Sequence, residues 1–218
     1  VANTFSPFGF RAFGDQDGAA PTMGLTRRYL ASSDTNLYFT GDVVSISTGA
    51  LAPVGYITLP ASGVNTTQPI LGVFAGCEYY SPNVGRVVWS SYFPGNVGSS
   101  SPSNAYVIED PNQLFLVQCT TSAVVGTSAI GLNVCFTSSE TLAPQKSGNT
   151  LSGISNVALL SSAATVTLNA SYPFRLVDTT SNYFPPGTNG ADSTVAGAIV
   201  VVGFNNQLRR SLLGAGST

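Results

Sequence analysis

The chain has 218 residues, 43% hydrophobic and only 8% charged, where soluble domains usually carry roughly 25% charge; this balance excludes a wholly disordered chain, which needs few apolar residues and many charges. The length suits one or two domains, and a formal net charge of -2 offers no cationic field for nucleic acid or an anionic membrane. With 27 Ser, 22 Thr and 15 Asn, the polar surface is built mainly from hydroxyls and amides, and the weak repulsion between copies suits a protein that works packed in an assembly.

The chain divides by pattern into an extended N-terminal arm (1–33), a β-domain (34–140), and residues 141–218, which continue that domain or form a small second β-subdomain. In the arm, Phe5, Phe8, Phe10 and Phe13 are separated by Pro and Gly with no sustained period, so these rings must find a core on this chain's body or on a neighbour. Residues 22–31 allow a turn of helix at most. Short strands bounded by turn residues are then expected at 37–39, 43–47, 56–59, 69–77, 86–92, 105–109 and 114–120. Further strands are expected at 130–137, 158–160, 165–168, 174–178 and 198–205.

Apolar residues on both faces mark the strands around Tyr106 and Phe115 as central or as facing a partner, and Glu109-Asp110-Pro111-Asn112 between them predicts a hairpin over 106–120. Loops are expected at 61–68, at 93–104, read as polar and mobile, and at 181–192, where Tyr183 and Phe184 stand beside a Pro pair and suggest a contact. A change of domain would fall near 140–148. With many short strands and no amphipathic segment of 12 residues, the expected fold is all-β, a sandwich or barrel of short antiparallel strands carrying the N-terminal arm. No apolar run is long enough for a membrane-spanning helix, and the first residues lack the pattern of a signal peptide.

The absence of His removes the commonest general base and metal ligand. Cys77, Cys119 and Cys135 show no CxxC spacing, and are read as three buried thiols or as one disulfide and a remaining thiol. Among the carboxylates only Asp15 with Asp17 and Glu109 with Asp110 are sequence neighbours, both in arm or turn sequence; the second pair reads as a polar hairpin tip. No nucleotide-binding or acyl-transfer signature occurs, so no enzyme, cofactor or metal site is expected. Arg27-Arg28 and Arg209-Arg210 are either a solvated face or forks for carboxylates on a partner.

The opening Asn3-Thr4-Phe5-Ser6-Pro7-Phe8-Gly9-Phe10-Arg11 resembles the "N-x-PFGLRP" start of a family of tailed-bacteriophage virion proteins, with Phe10 where Leu is usual and Ala12 where Pro is usual. Gly41-Asp42-Val43-Val44, Ile70-Leu71-Gly72-Val73-Phe74 and the segment 105–115 extend the likeness, the last resembling that family's "Y-V-x-D-D-P…F" hairpin with Glu109 for the first Asp. The strand 200–205 resembles its terminal strand.

The resemblance implies a capsid decoration, or cement, protein. Such a protein lies on the outer capsid surface, after assembly in the host cytoplasm, and clamps neighbouring copies of the major capsid protein. Its expected partners are that protein and neighbouring copies of itself, a trimer being one arrangement, with no direct contact to nucleic acid or membrane. The alternatives are another structural virion component (tail, fibre or major shell subunit) or a surface glycan-binding module that stacks sugar on Trp89, Tyr92 and Phe93 or on Tyr183 and Phe184. From the residues themselves, the interface candidates are Phe5, Phe8, Phe10, Arg11, Phe13, Arg27, Arg28, Tyr183, Phe184, Arg209 and Arg210, with the aromatic arm as first anchor.

Overall fold

The computed structural model describes residues 3–18, 24–49, 52–60, 69–99, 101–136, 148–162, 166–185 and 187–210. The expected loop at 61–68 and most of the expected boundary at 140–148 lie outside the described residues.

Valine-, isoleucine- and aromatic-rich runs between turns form strands throughout. In chain order these are β1 (Arg11–Asp15), β2 (Leu25–Leu30), β3 (Tyr38–Phe39), β4 (Val43–Ile46), β5 (Ile57–Thr58), β6 (Gly72–Ser81), β7 (Arg86–Ser90) and β8 (Tyr92–Phe93). They continue as β9 (Ser103–Ile108), β10 (Gln113–Gln118), β11 (Asn133–Val134), β12 (Gly148–Asn149), β13 (Ile154–Ser155), β14 (Val166–Thr167), β15 (Phe174–Thr179) and β16 (Ile199–Phe204). The helical content of the described residues is two short 3-10 turns, Thr127–Ala129 and Thr180–Asn182.

One sheet has the order β2-β9-β6-β4-β5, with β7 paired to the outer half of β6; the other has the order β1-β10-β16-β15-β11-β14. The first sheet curls until β2 meets β5, where the Tyr29 and Tyr56 rings lie 5.6 Å apart. Its interior is filled by Leu30, Val44, Ile57, Phe74, Ala105 and Val107, and by Tyr38 and Phe93 from the β3–β8 ribbon. On its outer face Val43, Val73 and Ile108 pack against Phe115, Phe174, Leu176, Val200, Val202 and Phe204 of the second sheet. The fold is therefore all-β, a barrel-like antiparallel sheet with a second sheet laid on it. Sequence neighbours such as Val73 and Phe74 enter different cores because strand side chains alternate. This explains the strands that read as apolar on both faces.

Three expectations are corrected. The strands 106–108 and 114–118 exist, but they do not pair: β9 bonds β2 and β6, whereas β10 bonds β1 and β16. The turn at 109–112 is an arch that carries the chain from one sheet to the other, so Ile108 and Phe115 face each other across the core instead of lying side by side. Residues 93–97 are not a mobile polar loop, because Phe93 and Val97 are buried in the barrel and the Val97 N–H donates to Ser32 O. Residues 25–30, expected to give at most a helical turn, form β2, whose six residues pair with β9 from end to end. Sequence alternation is masked there by Arg27 and Arg28, which sit on opposite faces.

The N-terminal segment finds its core on this chain. Asn3 and Thr4 exchange hydrogen bonds with the 189–197 loop, Ser6 N–H donates to Gln118 Oε1, and β1 adds an edge strand to β10. Phe10 is 2% exposed; its ring stacks on Phe174 at 4.3 Å and meets Phe115 and Phe136 edge-on. Replacing it leaves a cavity between the sheets. Phe10→Ala should therefore lower stability by about 3–5 kcal/mol, read as a fall in the urea midpoint at unchanged slope; an unchanged midpoint would place Phe10 outside the core.

Candidate functional site

The charged residues singled out by sequence converge on one carboxylate. Glu109, fully buried at the start of the arch, accepts from Arg28 Nε at 2.6 Å and Nη2 at 2.7 Å, a two-pronged pair, and from Arg209 Nη2 at 2.9 Å. Gln207 Nε2, also buried, donates to Glu109 O and Leu71 O. Glu109 thus ties β2, the arch and the segment 207–209 into one joint. The Arg28 guanidinium is held charged beyond its ordinary range by the bond to Glu109, against the opposing effect of burial. Beside this joint Arg210 donates to Asn112 Oδ1 and Phe204 O.

A second buried carboxylate, Asp42, has no cation beside it among the described residues. Its Oδ2 accepts from Phe39 N–H at 2.7 Å and its Oδ1 from the Ser155 hydroxyl at 2.5 Å. Burial pushes its carboxyl up to about 8, with those two hydrogen bonds opposing the shift. Gly41, one residue earlier, receives the N-terminal segment: Phe10 N–H donates to Gly41 O at 3.0 Å, and a Cβ on Gly9 would stand 2.8 Å from Ser155 Cβ and 2.9 Å from Gly41 O. Both glycines have positive φ, so the approach needs glycine on each side.

The third buried carboxylate among the described residues, Asp34, accepts from the Tyr38 hydroxyl and the Asn36 N–H. Asp15 is raised above the usual carboxylate range, first by desolvation and then by Asp110 and Asp17. Among the described residues no group of three or more His, Cys, Asp or Glu is disposed to hold a metal. Cys77, Cys119 and Cys135 are buried, none forms a disulfide, and burial pushes each thiol up to about 12. Such thiols are poor nucleophiles at neutral pH.

Among the grooves bordered by described residues, two have volumes of about 370 Å³ each. One lies between the segment 8–12 and the uncovered outer face of the barrel; its walls include Phe8, Arg11, Leu25, Ala75, Trp89 and Ile108. The other runs over the outside of the second sheet, with Leu114, Ile130, Val177, Phe204, Arg175 and Arg210.

The sequence candidates scatter over these features. Phe10, Arg28 and Arg209, read as partner-facing, are engaged in the chain's own core and in the Glu109 joint. Phe8 is half-buried beneath the Arg11 guanidinium, which lies 5.5 Å from its ring centre. Phe13 meets the half-exposed Tyr183 edge-on at 5.2 Å, next to the partly buried Phe184. Arg27 donates to Asn104 Oδ1, and Phe5 is exposed. Sequence reasoning did not bring together Leu25, Ala75 and Trp89 with Phe8 and Arg11, because strand order alone makes them neighbours. Compared with known protein families, curated proteins and solved structures, the chain matches none.

Two predictions test the buried carboxylates. Asp42 titrates near 3.8 when unfolded and near 8 when folded, so between those values the folded chain holds a proton that the unfolded chain has released. Its contribution is complete below pH 4 and is lost as pH rises toward 8, at up to about 1.4 kcal/mol per pH unit. Asp42→Asn should flatten the urea midpoint over pH 5–8 relative to wild type; parallel profiles would show that Asp42 is ionised in the fold. Glu109→Ala, which strands two guanidinium groups at once, should destabilise more than Arg28→Ala, and Arg28→Ala more than Arg209→Ala. Partial exposure of both arginines holds the largest effect to roughly 2–3 kcal/mol. Equal urea midpoints for the three variants would refute the joint.

Proposed function

We propose that this chain is a structural virion protein that binds the outside of a phage head and stabilises contacts between subunits of the major capsid protein. The observation that carries this reading is the run of segments resembling the tailed-phage decoration family: 3–11, 41–44, 70–74, 105–115 and 200–205. Their positions in the fold support it. Segments 3–11 and 41–44 meet at the Gly9–Gly41 contact, 70–74 and 105–115 are adjacent through β6 and β9, and 200–205 lies beside β10. The likeness therefore falls on one spatially connected framework.

The chemistry of the chain agrees with such a role. Asp42, and Glu109 paired with both Arg28 and Arg209, hold segments of the fold together. A neutral surface of hydroxyls and amides is suited to close packing against a lattice. On a closed shell many modest contacts add, because binding only the assembled state shifts the equilibrium toward it.

The test uses the full chain and expanded heads that lack it. Truncation before Gly14 is not a clean variant, since it removes Phe10 from the core. Saturable, stoichiometric cosedimentation is expected, together with a rise of a few degrees in the temperature at which the heads rupture. Failure to cosediment would overturn the head-decoration reading and move a tail, fibre or glycan-binding role forward.

A further inference from the structure

The groove beside Trp89 is bounded on one side by the N-terminal segment. Its floor is the outer face of the barrel where the second sheet stops covering it, at Ala75 and Ile108. One wall is Phe8 with Arg11; the opposite side carries Leu25 and Trp89, which are 48% and 62% exposed. These two large apolar side chains are held apart in water. Trp89 lies on bare backbone: a Cβ on Gly76 would stand 2.8 Å from its ring, and Gly76 sits in the bulge where the β6–β9 register shifts. Leu25 is fixed by pairing opposite Ile108.

The rim carries positive charge on a chain that is negative overall. Among the described residues both ion pairs belong to Glu109, so neither Arg11 nor Arg27 is paired with a carboxylate. Arg11 lies over Phe8, and Arg27, on the same face of β2 as Leu25, bonds only the neutral amide of Asn104. The acid on this face, Glu78, is engaged by the Tyr106 hydroxyl. Arg11 on the wall and Arg27 beside Leu25 on β2, against Glu78, around a largely apolar cleft of about 370 Å³ that has room for a large side chain, define the complement.

We propose that this groove is the seat for one large apolar side chain carried on an acidic segment of the capsid partner. It deepens the virion reading and rests on it. The direction of anchoring is then the reverse of the one expected from sequence: residues 8–12 form a wall of the socket, and the partner supplies the anchor. A socket whose side chains are already positioned loses little freedom on binding, and an aromatic wall flanked by arginine is the composition found where interface energy concentrates.

The experiment compares wild type, Trp89→Ala, Leu25→Asp and Arg11→Glu in cosedimentation with expanded heads, after thermal melts select variants that fold like wild type. Each folded variant should weaken binding at least tenfold. Trp89 is the only tryptophan, so hydroxyl-radical footprinting reads the groove directly: its oxidation should fall several-fold on heads, while that of Tyr183, which does not line the groove, stays unchanged. If wild type binds and the variants bind within twofold of it, or Trp89 remains as reactive as in the free protein, the groove proposal is overturned and the virion reading stands. If wild type does not bind heads, both fall. Saturable uptake of dodecanoate with head binding unaffected by the variants also overturns it, in favour of a small-molecule site.

Discussion

The fold depends on a carboxylate buried without a counter-charge. Asp42 lies where three otherwise separate pieces meet: the turn that follows β3, the strand β13, and the N-terminal segment resting on Gly41. Each oxygen has a donor, and with the carboxyl shifted toward neutrality the group behaves as a hydrogen-bond hub instead of an ion. Without it the Phe39 N–H and the Ser155 hydroxyl would lose their acceptor in a site closed to water, a cost comparable to a large core truncation. Gly9 and Gly41 can approach because this hub fixes the backbone beneath them, and that approach delivers Phe10 to the space between the sheets.

Glu109 solves the complementary problem at the arch. A chain leaving one sheet for another turns its backbone away from both hydrogen-bond ladders, and its polar groups then need partners. The arch supplies some locally, through Asn112 N–H to Asp110 Oδ1 and Gln113 N–H to Asp110 O. Gln207 Nε2 donates to Glu109 O, and the Glu109 carboxylate draws in Arg28 from the sheet edge and Arg209 from the segment after β16. The two joints differ in electrostatic kind: one is neutralised by proton, the other by two cations. Both serve the same end of fastening long-range connections.

Much of this was legible in the sequence, and the limits have physical causes. The all-β class and nearly every strand of the cores follow from β-branched runs between turn residues, and the apolar two-faced character of residues 105–108 correctly marks a central strand. Pairing was not legible, because a Pro-Asn turn between two strands is compatible with a hairpin or an arch. What selects the arch is that Ile108 and Phe115 both gain from facing the same core, a property of the whole sheet arrangement. The aromatic segment was recognised as needing a core, but composition cannot say whose. Thr4, Ser6 and Gly9 carry the answer through bonds to Asn189, Gln118 and Val157, all more than a hundred residues away. The groove was illegible for the same reason, since Leu25, Ala75 and Trp89 become neighbours only through β2, β9, β6 and β7 in register.

The same arrangement links the groove to the fold. Its wall at Phe8 and Arg11 is positioned by the backbone on either side of Phe10, which the Gly41 contact fixes, while its floor is the outer surface of the barrel that Phe10 helps to cover. Buried carboxylates leave the described surface with few charges, so long-range steering is weak and recognition must rest on shape and on the few cations that remain exposed. The proposed socket, with its modest positive rim, would meet that requirement on a repeating lattice, where each contact need only be moderate for the sum to hold. Substitutions at Gly9, Gly41 or Phe10 would disturb socket and core together, whereas Leu25 and Trp89 project from paired strands into solvent. Recognition through the proposed socket is therefore separable from stability at those two side chains, and inseparable from it along the N-terminal segment.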